Sequence, residues 1–479
     1  MAGLTRRDLL RASLFAWPLR RATAASAIGP VMARLSSYMA EAKDRALPAP
    51  VIEKTKQAIL DTFAAMVSGA DLPPGKVAIH FARLHSGEKV ATVAGSNVVC
   101  GPVEAAMANG MLAHSDETDD SHSPSLSHPG ASVIPAALAA SEQWDGDGTR
   151  FLRAIALGYD VGPRMTMAMG RDAAMVEGHK STHSISGTFG SAAAAGCVAG
   201  FTAQQMRWLL DYTAQEASGI ASWQRDTDHI EKSFVFGGMP ARNGITAALL
   251  VEAGGTGVDD VFSGADNYLL AMAPKADPRQ LIEKLGERYE VSRTGFKKWT
   301  VGSPIQAPLD ALEALLRKRP IEPAQVRTIT VRVATNEAAV VNNRAIPDIC
   351  LQHMMAVMML DKTVTFQSAH DVKRMQDPAV LRERAKVQLI PDAELQKRLP
   401  AREAVVEITL ADGSRLEERV TAVRGTADNP MMREEVVAKA RDLMGPALGA
   451  ANTERLIQTV LAMESVPRVR DLRPLLQRG

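Results

Sequence analysis

From His114 to His128 the chain runs His-Ser-Asp-Glu-Thr-Asp-Asp-Ser-His-Ser-Pro-Ser-Leu-Ser-His. These fifteen residues hold three of the ten histidines and four carboxylates, Asp116, Glu117, Asp119 and Asp120, with Ser121 among them. Imidazole titrates near neutrality, and a neighbouring carboxylate orients the ring and sets its basicity. A loop so composed suits proton transfer. Its last histidine opens Ser127-His128-Pro129-Gly130, where a helix is expected to start and backbone N–H groups favour an anion. Alone, that tetrapeptide also reads as a plain turn before a helix.

Three further segments carry chemistry. His179 and His183 stand four apart, so a helix there would put both imidazoles on one face. A metal pair would need a third ligand or a His-Glu-x-x-His order; neither is evident, so acid–base work is the preferred reading. Lys232 precedes Gly237-Gly238-Met239-Pro240-Ala241-Arg242-Asn243-Gly244, a run offering cations and backbone donors to a carboxylate. Gly295-Phe296-Lys297-Lys298-Trp299 falls near a change in character of the chain, and clefts between domains are common ligand sites. Gly254-Gly255-Thr256-Gly257 lacks the Gly-Lys-Ser/Thr ending of a phosphate loop and reads as a helix stop. There is no G-x-S-x-G elbow and no G-x-G-x-x-G after a strand, so serine-nucleophile and dinucleotide readings have little support. Two rivals stay open: a metal hydrolase using His114, Asp116, Asp119 and His122, and a non-catalytic carboxylate-binding protein.

These segments need a scaffold. The run 103–111 and the run 131–141, either side of the loop, are apolar, alanine-rich and helical in pattern. Over 50–69, Ile52, Ile59, Phe63, Met66 and Val67 share one face, with Pro50 at the start and Gly69 at the end. Gly187 to Gly200 is nearly all Gly, Ala and Ser, which predicts a central, buried helix with close neighbours. Thr202 and Gln205 form a capping box. Past residue 275 the pattern changes. Ile329, Val331 and Val333 alternate as in a half-buried strand, and Val406, Ile408 and Leu410 run into the hairpin signal Asp412-Gly413. Residues 26–274 are therefore read as a helical domain, 275–425 as an α+β domain, and 426–479 as a helical return to the first.

Composition narrows the partners. In 479 residues, 46% apolar and 23% charged, 55 Lys and Arg face 54 acidic residues. Such balance gives no net field for nucleic acid or a membrane surface, and a small molecule is expected instead. Cys100, Cys197 and Cys350 are far apart, without a CxxC pair. No uninterrupted apolar run reaches membrane-spanning length. At the amino terminus, Thr5-Arg6-Arg7-Asp8-Leu9-Leu10 followed by Ala22-Thr23-Ala24 reads as a twin-arginine signal over residues 1–25. Arg11, Arg20 and Arg21 interrupt its apolar stretch, and a basic amphipathic helix start is the alternative, so periplasmic and cytoplasmic locations both stay open.

Taken together, several motifs resemble one known family. Asn109-Gly110, His114, Glu117-Thr118-Asp119-Asp120-Ser121-His122 and His128-Pro129-Gly130 resemble the hallmark loop of the MmgE/PrpD family. Ser181-Thr182-His183 with Gly187-Thr188-Phe189-Gly190, Lys232 with Ala241-Arg242-Asn243-Gly244, and Phe296-Lys297 follow in the family's order. The resemblance implies a mainly α protein, with a large all-α domain and a smaller α+β lid, that forms a homodimer and uses no cofactor or metal. It implies a lyase acting on a small di- or tricarboxylic acid, most like a 2-methylcitrate dehydratase. Cis-aconitate decarboxylase-like and iminodisuccinate epimerase-like activities are the alternatives. Carried over by position, His128, His183, Lys232, Lys297 and Asp120 are the catalytic candidates. Glu117, Ser121, His122, His179 and Arg242 are the substrate-binding ones, with His179 as the alternative partner to His128. Two departures stand out. Val235 and Phe236 occupy a region where the family often has His, and Lys298-Trp299-Thr300-Val301-Gly302 replaces a Tyr-Pro-Cys-Cys-like run.

The chemistry implied is removal of a proton α to a carboxylate, with lysines stabilising the enediolate and imidazoles moving the proton. Residues 1–25 are expected to have no part in it. Removing them is expected to leave folding and activity intact, and an insoluble or inactive truncated protein would place them in the mature fold.

Overall fold

The computed structural model describes residues 28–170 and 172–478, so the twin-arginine segment lies outside the described residues. Nine main helices build the first domain: α1 (Pro30–Glu41), α2 (Ala49–Gly69), α3 (Pro73–Leu84), α4 (Pro102–Ala113), α5 (Gly130–Gln143), α6 (Gly148–Met169), α7 (Thr182–Ala199), α8 (Ala203–Glu216) and α9 (Ile230–Glu252). Local chemistry sets their ends. Proline occupies the first turn of α1 to α4, where its missing N–H has no helical partner to lose. Thr202 and Gln205 close the expected capping box on α8. The Ser181 hydroxyl accepts from Ser184 N–H at the start of α7, and Gly200 ends it in the left-handed region at φ 76°.

α7 is the small-residue helix, buried at the centre of this domain between α6 and α9. Backbones meet directly in two places. A Cβ on Gly190 of α7 would stand 2.7 Å from the Gly158 carbonyl oxygen of α6. One on Gly110 of α4 would stand 2.3 Å from the Gly237 carbonyl oxygen of α9. α9 is continuous but takes a π turn over Phe234–Gly238, and that turn delivers Gly237 to α4. By length and composition α9 could cross a membrane, yet 67% of its apolar window is buried and it carries Lys232 and Arg242.

The second domain is built on a four-stranded sheet, with strands Val387–Asp392, Val326–Ala334, Ala404–Leu410 and Arg415–Val420 side by side in that order. Two short strands in the first domain are β1 (Ala91–Thr92) and β2 (Val99–Cys100); the sheet uses β3 (Val326–Ala334), β4 (Val387–Asp392), β5 (Ala404–Leu410) and β6 (Arg415–Val420). β3 runs parallel to β4 and antiparallel to β5, pairing Ile329 with Ile408 and Val331 with Val406. Those side chains are fully buried, under α10 (Ser303–Lys318) and α11 (Leu351–Asp361). The Asp412-Gly413 turn joins β5 to β6, with Gly413 at φ 88°.

Two apolar cores result. The first gathers α1 to α9, Leu281, Leu285, Tyr289, Val291 and Phe296, and the returning helices α12 (Arg433–Leu448) and α13 (Ala450–Leu461). The second spans Trp299 to Val423. Residues 275–296, expected in the α+β domain, thus pack with the helical one. Arg164 of α6 is the reason: its guanidinium is buried, donates to the Arg288 carbonyl at 2.8 Å and lies 3.4 Å from Glu290.

The α4–α9 contact gives a prediction. Alanine at Gly110 would raise helix propensity by about 1 kcal/mol, but its methyl would meet backbone that cannot swing aside. Gly110→Ala is expected to lower stability by roughly 1–3 kcal/mol in denaturant titrations. An unchanged or raised midpoint would mean the two backbones can separate freely.

Candidate active site

The acidic loop leaves α4 at His114 and enters α5 at Gly130, and almost every turn of it is tied down. The Asp116 carboxylate accepts from Thr118 N–H at 3.0 Å and Thr118 Oγ1 at 2.8 Å, closing a local turn. Lys439 of α12 donates to the Thr118 carbonyl at 2.8 Å and to Asp61 of α2 at 2.6 Å. Two backbone hydrogen bonds of 2.9 Å join Ser121 to Gly295, which sets Phe296-Lys297 alongside the loop.

Charge converges at the loop's centre. Glu117 takes Lys232 on one carboxylate oxygen and Lys297, at 3.2 Å, on the other. Asp119 lies 2.9 Å from His114 Nδ1 and 3.2 Å from His128 Nδ1 through one oxygen, and 3.6 Å from Lys297 through the other. His128 and His183 stand with ring centres 5.2 Å apart. Phe236, from the π turn of α9, stacks on His183 at 3.7 Å and on His114 at 4.4 Å. Trp223 closes the edge against both His183 and Phe236.

Burial and neighbours set the protonation states. Burial pushes the Glu117 carboxyl up, but Lys232 and Lys297 outweigh it and hold the group well below the usual carboxylate range. Asp119 is likewise opposed by burial and held well below by His114, His128 and Lys297. Lys297 is buried, yet Glu117 and Asp119 raise its pKa and keep it charged. Burial depresses His183 well below its ordinary value, and its neighbours His128, His114 and Lys232 add to that. His128 is depressed by burial against the pull of Asp119. The site therefore presents two neutral imidazoles beside a pair of lysine cations.

Five sequence candidates meet there: His128, His183, Lys232, Lys297 and Glu117. The others stand elsewhere. Asp120 faces away, accepting from Gly130 N–H at 3.0 Å and Tyr159 OH at 2.6 Å; burial, reinforced by Asp119, lifts its pKa to about 7. His122, expected to bind substrate, is fully buried behind the loop, with Ser125 at 2.7 Å and Glu290 at 3.1 Å on its two ring nitrogens. His179 precedes α7 and faces solvent at φ 51°, so it does not share a helical face with His183. Ser121 contributes its backbone, and Arg242 turns to Asn243 at 3.0 Å and towards the Phe234 ring. Sequence reasoning placed Asp119 only in the hydrolase alternative and gave the lyase role to its neighbour Asp120, in a loop where adjacent side chains point apart. It missed Phe236 as a ring platform and His229, which sits 5.1 Å from His114.

Two triads could hold a cation, His114–Asp119–His128 and His114–Glu117–His229, each with ligand atoms within 4.8 Å. Both carboxylates also pair with Lys297. The four-residue set of the hydrolase reading does not converge, because His122 lies behind the loop and Asp116 pairs with His370.

The Asp119/Asp120 contrast is open to test. Asp119→Asn removes the charge that steadies His128 and is expected to reduce kcat about 10²-fold or more. Asp120→Asn keeps an acceptor for Gly130 and is expected to stay within a few fold. Equal losses would return the catalytic role to Asp120.

Known proteins bear on this geometry. The MmgE/PrpD N-terminal domain matches residues 33–281, and the MmgE/PrpD C-terminal domain matches residues 299–465. The cis-aconitate decarboxylase-like protein oryM of Aspergillus oryzae is 25% identical over 477 residues, covering 94% of this chain and 97% of that protein. The cis-aconitate decarboxylase of Aspergillus terreus is 25% identical over 461 residues, covering 90% and 92%. That of Homo sapiens is 25% identical over 438 residues, covering 87% and 88%. With both domain types matched in order along a chain that carries the loop, the imidazoles and the lysines, this protein belongs to the MmgE/PrpD family.

Proposed function

We propose that this protein is a lyase that acts on a small di- or tricarboxylate, with cis-aconitate the first substrate to test. The observation that carries the reading is the pairing of neutral His128 and His183, 5.2 Å apart, beside Lys232 and Lys297 on a single carboxylate. Glu117 occupies the two lysines much as a substrate carboxylate would.

The two imidazoles are not equivalent. Asp119 lies against His128 and would stabilise its protonated form, whereas His183 meets cations and the face of Phe236. His183 is therefore assigned to proton acceptance, and His128, after taking up a proton from solvent that Asp119 holds on the ring, to proton donation. In decarboxylation, carbon dioxide leaves with cleavage of a carbon–carbon bond, the electron pair is held as an enediolate against the lysines, and His128 protonates carbon. In dehydration, His183 removes the α-proton while His128 protonates the departing hydroxyl. The named relatives favour the first, and the facing pair of imidazoles favours the second. An epimerase would use the same pair on opposite faces.

Incubation in heavy water with a panel of di- and tricarboxylates, followed by NMR and carbon dioxide trapping, separates these. Deuterium on carbon together with trapped carbon dioxide identifies decarboxylation; loss of the hydroxyl identifies dehydration. No exchange and no product with any member of the panel would sink the lyase reading. Because His128 donates only when protonated and is held below its ordinary value, kcat/KM is expected to fall as pH rises through about 6.5, with the acid limb set by His183 lying lower still. Lys232→Met removes a cation that depresses His183 and should move that acid limb upward.

A further inference from the structure

One contact to the acidic loop comes from the second domain, through a residue that no motif singles out. His370 ends a short helix (Phe366–His370), and its Nε2 lies 3.1 Å from Asp116 Oδ2. Its Nδ1 lies 2.8 Å from the Phe366 carbonyl oxygen, and the ring packs on Phe366 with centres 4.3 Å apart. Both ring nitrogens thus face acceptors. Nδ1 makes the hydrogen bond, to the Phe366 carbonyl, and Nε2 meets Asp116 as an ion pair without hydrogen-bond alignment. Burial works against the charge, but Asp116 and Asp348 outweigh it and raise the ring to about 9.

What Asp116 does with its other contacts gives the pair its reach. The same carboxylate closes the turn at Thr118, so a hold on Asp116 is a hold on the backbone that aims Glu117 and Asp119. The site behind that turn is shut. Glu117, Asp119, Lys297 and His183 are each at most 8% exposed. Lys232 keeps 19% of its side chain exposed, but a substrate carboxylate can reach Lys297 only when the covering segments part.

We propose that His370 is a positioning residue: its imidazolium clamps Asp116 while the second domain is closed on the site, and release of this ion pair opens the site to substrate. The clamp stands on geometry alone; its effect on turnover rests on the lyase reading. The helix that carries His370 is shared between the cores: Ala369 packs in the second, while Phe366 packs on the first and its N–H donates to Asp442 of α12 at 2.7 Å, so opening must also part that bond. His114, His128 and the two lysines stay with the helical domain when the pair is released.

Hydrogen exchange read by mass spectrometry tests the clamp on the full chain without any assay of activity. In His370→Gln and in Asp116→Asn, peptides covering 114–122 are expected to exchange about tenfold faster than in wild type, with β3 peptides unchanged. The double variant should be no faster than the faster single one, since both remove one interaction. Each single variant breaks the pair from its own side, so either decides if the other fails to fold. For turnover, kcat should fall about tenfold with a smaller change in KM, and His370→Lys should recover part of it by restoring a cation. Unchanged exchange at 114–122, or additive effects in the double variant, would overturn the clamp. Faster exchange with an intact kcat would keep the clamp and overturn the positioning role. Absence of any turnover in wild type would count against the lyase reading, while the exchange comparison still decides the clamp.

Discussion

Buried negative charge in the loop between α4 and α5 is the constraint around which the rest is arranged. Asp116, Glu117 and Asp119 are all ionised and almost without solvent. Removing a carboxylate from water costs several kcal/mol per ion even after relaxation, and removing one partner of a buried pair costs about 3–5 kcal/mol. The loop can exist only where cations are delivered to it. Lys232 comes from α9, Lys297 from the segment pinned by Ser121, and His370 from the second domain. Lys439 comes from α12 and neutralises Asp61 just behind. Four segments distant in sequence are thereby committed to one place.

Delivering them requires close helices. α9 can put Lys232 at Glu117 because its π turn brings Gly237 onto the backbone of α4 at Gly110, with no side chain between. One turn past Lys232, the same helix presents Phe236 to the imidazoles. An apolar ring there keeps water from His183 and contributes to its neutrality, which a polar residue would undo. Helix packing and acid–base character are two results of the same turn.

The helices and strands were legible because each is written locally: proline in the first turns, the Thr202–Gln205 box, the alternation at Ile329 to Val333. The loop's chemistry was legible from its composition. Its direction was not. Asp119 and Asp120 are adjacent and chemically alike, and only the position of Tyr159, on α6, shows which one turns outward. His122 looked like its neighbours until Glu290 was seen against it, 168 residues away in sequence. His370 had no local signal at all, since its meaning depends on where the second domain sits. The placing of residues 275–296 likewise has no local signal: Arg164, a single buried guanidinium on α6, binds them to the helical core.

The two departures from the family pattern now separate. Lys298 pairs with Glu313 at 2.5 Å and packs over the Trp299 ring, while the Trp299 indole donates to Asp310 at 2.9 Å. Both turn to α10 and hold the start of the second domain, so a change there alters how that domain is seated rather than what the site touches. Phe236 is different. It lies against His183, His114 and His128, with Lys232 Nζ 5.3 Å from its ring. A histidine in its place would add a third titratable group to the pair and a donor towards substrate. A phenyl ring adds neither, and it shapes the pocket by bulk. Any difference in substrate between this chain and relatives with histidine there is therefore to be sought at Phe236, in the group of the substrate that must lie against an apolar face.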